Sequence, residues 1–134
     1  MKRVLFLCTH NSARSQMAEG LLRHLGHGQF AAFSAGTAAT QVRPEAIAVM
    51  AELGMDISKQ ESKTMDRFLS EPFDEVITVC DQANEACPFF PHAGTRRHWS
   101  IADPAGVMGT EHERLAPFRS TRDALRERIE TELL

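Results

Sequence analysis

The stretch Val4-Leu5-Phe6-Leu7-Cys8-Thr9-His10-Asn11-Ser12-Ala13-Arg14-Ser15 constrains this chain more than any other. Four consecutive apolar residues read as a buried strand, and a polar, helix-starting segment follows Cys8 at once. A strand that turns straight into a helix leaves several backbone N–H groups unpaired and aimed into one small space. Unpaired amides and the positive end of a helix dipole together attract tetrahedral anions. A thiol opens this cradle, and the field of the amides favours its thiolate form. Arg14 closes the cradle with a guanidinium that can fork two N–H bonds onto an oxyanion, which lysine cannot do. Thr9, His10, Asn11, Ser12, Ala13 and Arg14 are therefore the candidate oxyanion-binding residues, and the Ser15 hydroxyl can donate to the thiolate or to a leaving oxygen. A lone Cys after an apolar run is more often a buried structural residue. The joint pattern of strand, Cys-x5-Arg-Ser and a helix with Met17, Leu21 and Leu25 on one face argues for chemistry instead.

Strand-like and helix-like segments alternate down the chain, which predicts an α/β fold with a parallel sheet. At 134 residues this is one domain. The first helix is expected to end near Gly26, followed by a second strand over 29–35. Pro44 suits the first turn of a helix in which Ile47, Met50 and Leu53 share a face and which stops at Gly54. A short helical stretch is expected around 65–69, a third strand over 75–79 and a fourth near 96–100. Thr110 with Glu113 predicts a capping box for the last helix, which buries Phe118, Leu125, Ile129 and Leu133. Pro117 predicts a disturbance in its first turns.

A net charge of −3 gives no reason to expect nucleic-acid or membrane binding. No apolar run approaches the length needed to span a bilayer. Met1-Lys2-Arg3 and four apolar residues are too short for a signal peptide, so a cytoplasmic location is expected. Three cysteines without zinc-finger spacing are more often catalytic than structural in a reducing cytosol. Cys80 ends the third strand, at the carboxyl edge where parallel sheets gather ligand sites, and Cys87 follows after six intervening residues. Taken alone, that pair reads as two small buried residues, and Asp103-Pro104 taken alone reads as a turn. His24 and His27 share a helical face and His92 and His98 flank the fourth strand, but no ligand set assembles, so no metal is expected. Trp99 reads as core.

Cys8-Thr9-x-Asn11-Ser12-x-Arg14-Ser15-Gln16-Met17-Ala18-Glu19-Gly20 resembles the low-molecular-weight tyrosine phosphatase superfamily, and within it the thioredoxin-coupled arsenate reductases. The resemblance continues through Ser34-Ala35-Gly36, Cys80, Cys87-Pro88 and Asp103-Pro104-Ala105-Gly106. It departs at His10, where the family usually has glycine, so the backbone there must suit a side chain. It implies a single-domain three-layer fold with a central four-stranded parallel sheet and no cofactor. It also implies that Cys8 attacks arsenate, Arg14 and the loop amides hold the oxyanion, and Ser15 stabilises the thiolate. Asp103 would be the general acid, its side chain aimed by the restraint of Pro104. Cys80 and then Cys87 would carry the oxidation away as disulfides, with thioredoxin as final reductant and arsenic detoxification as the outcome. Phosphate or sulfate would share the site. Some members hold potassium beside the loop with ligands matching Asn11, Glu19 and Ser34. Here the Lys63 ammonium is expected to replace the ion, neutralising Glu19 and bracing Asn11. A helical 80–87 segment would hold the two Cys Cα atoms about 10 Å apart, beyond the roughly 4.4–6.8 Å of a disulfide, so it is expected to unwind on oxidation.

Two rivals remain. A phosphatase acting on phosphotyrosine or small phosphate esters needs Cys8, Arg14 and Asp103 but not the other thiols. This chain has no tyrosine and places Ala105 after Asp103-Pro104, which makes a poor aromatic wall. A non-catalytic oxyanion-binding redox sensor would bind phosphate or oxidise its thiols without turnover. A monomer is expected.

Overall fold

Strand β1 (Lys2–Cys8) carries the four apolar residues Val4, Leu5, Phe6 and Leu7, and all four are fully buried. Successive side chains of a strand point to opposite faces. Burial of all four therefore means that the sheet is covered on both sides, as in a three-layer α/β fold. The chain is a computed structural model that describes residues 1–86, 90 and 92–134, apart from the side chains at 82, 84 and 86. Cys87 and Pro88 lie outside the described residues.

The remaining strands are β2 (Phe30–Gly36), β3 (Phe73–Thr78) and β4 (Ala93–His98), in the order β2-β1-β3-β4 with every pair parallel. The four-stranded parallel sheet is thus the one expected. Helix α1 (Arg14–Leu25) packs on β1 and β2, and α3 (Asp81–Ala86) packs on β1 and β3. The long α4 (Glu111–Glu132) packs across α1 and α2 (Pro44–Ala51). The strand order puts β1 beside β3 with β2 on the far flank. A crevice therefore opens at the carboxyl ends of β1 and β3, the usual ligand site of such sheets. Cys8 is the last residue of β1, and Cys80 follows β3 by two positions.

Several local signals read as the sequence suggested. Gly54 stops α2 with φ +76, its N–H bonding Ala51 O at 2.9 Å and the next N–H bonding Met50 O at 3.1 Å. The Thr110–Glu113 capping box is complete. Trp99 is core, its ring centroid 5.9 Å from that of Phe6.

On α2, Ala46, Val49 and Met50 are the most deeply buried, and Ile47 and Leu53 pack partly buried beside Met50. Two expectations needed correction. β4 begins at Ala93, earlier than expected, because charged Arg96 and Arg97 on an edge strand hide its alternation. α4 runs unbroken through Pro117, with Leu115 and Phe118 buried on either side of it. The proline removes one N–H, and that packing holds the helix across the gap.

Glu52, just after α2, ties it to α4. Arg119 forks onto the carboxylate at 2.8–3.0 Å, and Arg122 reaches it at 2.9 Å while also bonding Val49 O. The Arg119 hydrogen bonds, aided by Arg122 against a smaller cost of desolvation, lower the Glu52 pKa to about 2. A lowered folded-state value contributes stability above the ordinary carboxylate range and loses it as pH falls through the folded value. The melting-temperature gap between wild type and Glu52→Gln should therefore be constant above pH ~5 and close between pH ~4.5 and ~2. A gap independent of pH over that range would show that the carboxylate charge is not the tie.

Candidate active site

The loop after β1 is built around Asn11. This residue is fully buried with φ +49, a left-handed conformation that asparagine tolerates better than most residues. Its Nδ2 donates to Ser15 Oγ at 2.8 Å, and its Oδ1 accepts Gln16 Nε2 and the Lys63 backbone N–H, each at 2.8 Å. Gln16 is itself fixed by Glu61 O at 2.7 Å and by Gln60 Nε2 at 2.7 Å. The loop leans on the end of β2, where a Cβ on Gly36 would lie 2.8 Å from both Asn11 N and Thr9 O. Only glycine fits there.

The carbonyls of the loop are turned outwards. Cys8 O, Thr9 O and Ser12 O accept the N–H groups of Thr37, Ala38 and Arg43 at 3.2, 3.0 and 2.8 Å. Among the described residues, the backbone N–H groups of His10, Asn11, Ser12, Ala13 and Arg14 donate no hydrogen bond outside helices and strands. Carbonyls engaged from outside and amides left without a backbone acceptor are the makings of a nest for an anion. His10 fits because the left-handed residue is its neighbour; its own side chain is exposed and its carbonyl accepts Ser62 Oγ at 3.1 Å.

The sulfur of Cys8 lies 2.8 Å from Ser15 Oγ, both buried. Asn11 Nδ2 can only donate, so it occupies a lone pair of Ser15 and leaves the hydroxyl proton for the sulfur. Arg14 is anchored through Nη1 to Ile101 O at 2.9 Å, and its Nη2 lies 4.0 Å from Asp103 Oδ2. Asp103 Oδ1 accepts the Ala105 N–H at 2.9 Å, which aims the exposed carboxyl towards the cavity mouth. The cavity above Cys8, about 390 Å³, is lined by Arg14 and Asp103 and by a second arginine, Arg43. Arg43 arrives from the turn before α2 and belongs to no sequence motif, so pattern reading missed it.

Cys80 is buried at the rim of the same loop. Its Sγ lies 3.3 Å from Thr9 Oγ1 and accepts the Ala83 N–H at 3.4 Å. The next residue, Asp81, receives His98 Nε2 at 2.8 Å and Ser100 Oγ at 3.0 Å. The His98 bond, with that of Ser100, holds the Asp81 carboxyl below its ordinary value. Sequence reading left His98 without a role, because its partner lies on a different element.

Beside the loop, Glu19 is buried and takes Ser34 Oγ at 2.6 Å, Arg23 Nη2 at 2.8 Å and Lys63 Nζ at 3.9 Å. The ammonium of Lys63 thus faces Glu19. It does not brace Asn11; the Lys63 backbone N–H does so, and the ammonium turns to Glu61 O. Burial pushes the Lys63 ammonium below its usual pKa, with Glu19 opposing the shift. A potassium ion does not fit here. The Asn11 and Glu19 oxygens that would ligate it already accept donors, and two cationic side chains flank the carboxylate. Among the described residues no cluster of three His, Cys, Asp or Glu could hold a metal, and no helix is long and apolar enough to cross a membrane.

Residues 3–133 match the model of the low molecular weight phosphotyrosine protein phosphatase family. The chain is 44% identical to an arsenate reductase of Halalkalibacterium halodurans over 97% of its length and 94% of the relative's. It is 38% identical to a glutaredoxin arsenate reductase of Synechocystis, over 97% of this chain and 95% of that one. A solved arsenate reductase in its phosphate-binding state superposes with a TM-score of 0.84 at 37% identity, over 98% of this chain and 95% of that one.

If Lys63 and Arg23 supply the charge that Glu19 needs, replacing sodium by potassium at constant ionic strength should leave the melting temperature unchanged. A cation bound only by the folded state would raise it. A rise beyond about 2 °C, specific to potassium, would contradict the assignment.

Proposed function

The chain belongs to the low molecular weight phosphotyrosine protein phosphatase family, and within that family we propose that it reduces arsenate to arsenite. The observation that carries this reading is the second thiol at the rim of the anion loop, Cys80 Sγ, 3.3 Å from Thr9 Oγ1. Hydrolysis of a phosphate ester needs one thiol; reduction of an oxyanion needs a second to take up the oxidation.

In this reading arsenate sits on the amides of residues 9–14, with Arg14 forked onto its oxygens. The Cys8 thiolate, held by Ser15, attacks arsenic, and Asp103 gives a proton to the departing hydroxide, which leaves as water. Cys80 as thiolate then attacks the Cys8 sulfur. The S–As bond breaks, its electron pair goes to arsenic, and arsenite leaves with a Cys8–Cys80 disulfide behind it. Cys87 attacks Cys80, giving a Cys80–Cys87 disulfide and releasing Cys8 for the next cycle. Two thiols are oxidised for each arsenic reduced, and a dithiol reductant returns the two electrons. Thioredoxin, near −270 mV, is the stronger candidate on potential; glutaredoxins lie at about −200 to −230 mV. The setting that suits this chemistry is a reducing cytoplasm, where the product is exported or sequestered in arsenic detoxification.

The phosphatase alternative draws on the family itself, and arsenate and phosphate share shape and charge. Its weakness is the cavity wall, which includes no phenylalanine, tyrosine or tryptophan among the described residues to grip a phenyl ring.

Cysteine variants separate the readings. Cys8→Ser should abolish both arsenate-dependent oxidation of thioredoxin and hydrolysis of p-nitrophenyl phosphate. Cys80→Ser and Cys87→Ser should each stop reductive turnover and spare hydrolysis. A Cys87→Ser protein with full thioredoxin-coupled turnover would remove Cys87 from the relay. Running the same assay with glutaredoxin and glutathione identifies the reductant.

A further inference from the structure

We propose that Asp81, His98 and Ser100 form a latch on the first turn of α3 that sets how readily Cys80 leaves the rim of the anion loop. They would be positioning residues for thiol transfer, and the proposal rests on the thiol relay proposed above.

The latch is built from three elements. Asp81 is the first residue of α3 and directly follows Cys80. Its Oδ1 takes both His98 Nε2 at 2.8 Å and Ser100 Oγ at 3.0 Å. A carboxylate only accepts, so Nε2 is the donor, and on the other side of the ring Nδ1 lies 2.8 Å from Thr78 Oγ1. Thr78 is the last residue of β3 and pairs with His98 in the sheet. The end of the sheet, the imidazole and the start of α3 are thus joined through one carboxylate. Two positions further on, the Ala83 N–H donates to Cys80 Sγ, so the same turn that Asp81 anchors also holds the sulfur.

Thiol transfer works against this arrangement. The six residues of α3 are all the chain between Cys80 and Cys87. While helical, they rise about 7.5 Å from first to last. A disulfide closes only when its Cα atoms lie about 4.4–6.8 Å apart, so a helical α3 opposes the closure of Cys80 onto Cys87. A helix this short has little stability of its own, and its few anchors therefore control the opening. The Asp81 side chain is largely exposed, which limits the latch to a modest contribution. Its charge at the N-terminal end of a helix adds to that contribution. The latch is weak enough to open in each cycle and strong enough to keep Cys80 beside the loop until then.

The test measures α3 directly, with and without the relay. In the reduced protein, Asp81→Ala and His98→Leu should speed hydrogen exchange at the α3 amides roughly fivefold, leaving the amides of α1 and β1 unchanged. His98→Gln keeps an N–H donor and should stay near wild type. In a Cys8→Ser background, where Cys80 and Cys87 are the only thiols, the same two latch variants should shift the thiol–disulfide equilibrium roughly fivefold towards the disulfide. That is about 20 mV for this two-electron couple. A disulfide that forms equally well in every variant, with equal α3 exchange, overturns the latch alone. A Cys8→Ser protein that forms no Cys80–Cys87 disulfide in any redox buffer overturns the relay and this proposal with it.

Discussion

The site depends on the hydrogen bonds that hold one buried asparagine in a left-handed backbone conformation. With Asn11 at φ +49, the loop from Cys8 to Arg14 turns its carbonyls towards the 37–43 segment and Ser62 and leaves its amides for an anion. The conformation is locally unfavourable, and the surroundings over-determine it. Ser15, Gln16 and the Lys63 N–H all bond the Asn11 side chain, and Gly36 leaves room for its backbone. Removing the side chain would orphan the part-buried Lys63 N–H and free the Ser15 hydroxyl to turn from the sulfur, at a cost of about 1–3 kcal/mol for the unmade bonds. The same residue thus shapes the cradle and orients the proton that Ser15 offers Cys8.

The cradle was legible in the sequence because its parts are contiguous. A strand ending in Cys8 and a helix starting at Arg14 fix the loop length and its position on the sheet edge, and the apolar run of β1 shows that both faces are covered. What could not be read comes from side chains that meet across elements. Arg43 reaches the cavity from the turn before α2, and its usual reading is a solvated cation. His98 on β4 finds Asp81 only because β3 and β4 pair in a particular register. Lys63 meets Glu19 with its ammonium and Asn11 with its backbone N–H, and a sequence cannot say whether a residue reaches a neighbour with its side chain or its backbone.

Two demands meet at the carboxyl edge of the sheet. Binding and attack require a rigid anion loop, and the network around Asn11 supplies that rigidity. Passing electrons from thiol to thiol requires a neighbouring segment that can move. Helix α3 has six residues, a single carboxylate clamp at its start and one amide on the Cys80 sulfur. Placing both on adjacent strands lets the second thiol sit at the rim while its helix stays marginal. A phosphatase on the same scaffold would need only the rigid half.

The central claim is that the three thiols act in sequence on one bound arsenate. It is tested most directly in a single turnover without reductant. Fully reduced protein is mixed with arsenate, quenched with an alkylating agent and mapped by mass spectrometry, while arsenite is counted. The account predicts one arsenite per protein, an alkylated Cys8, and Cys80 joined to Cys87. Arsenate left unreduced and all three cysteines alkylated, in protein that still hydrolyses p-nitrophenyl phosphate, would contradict it.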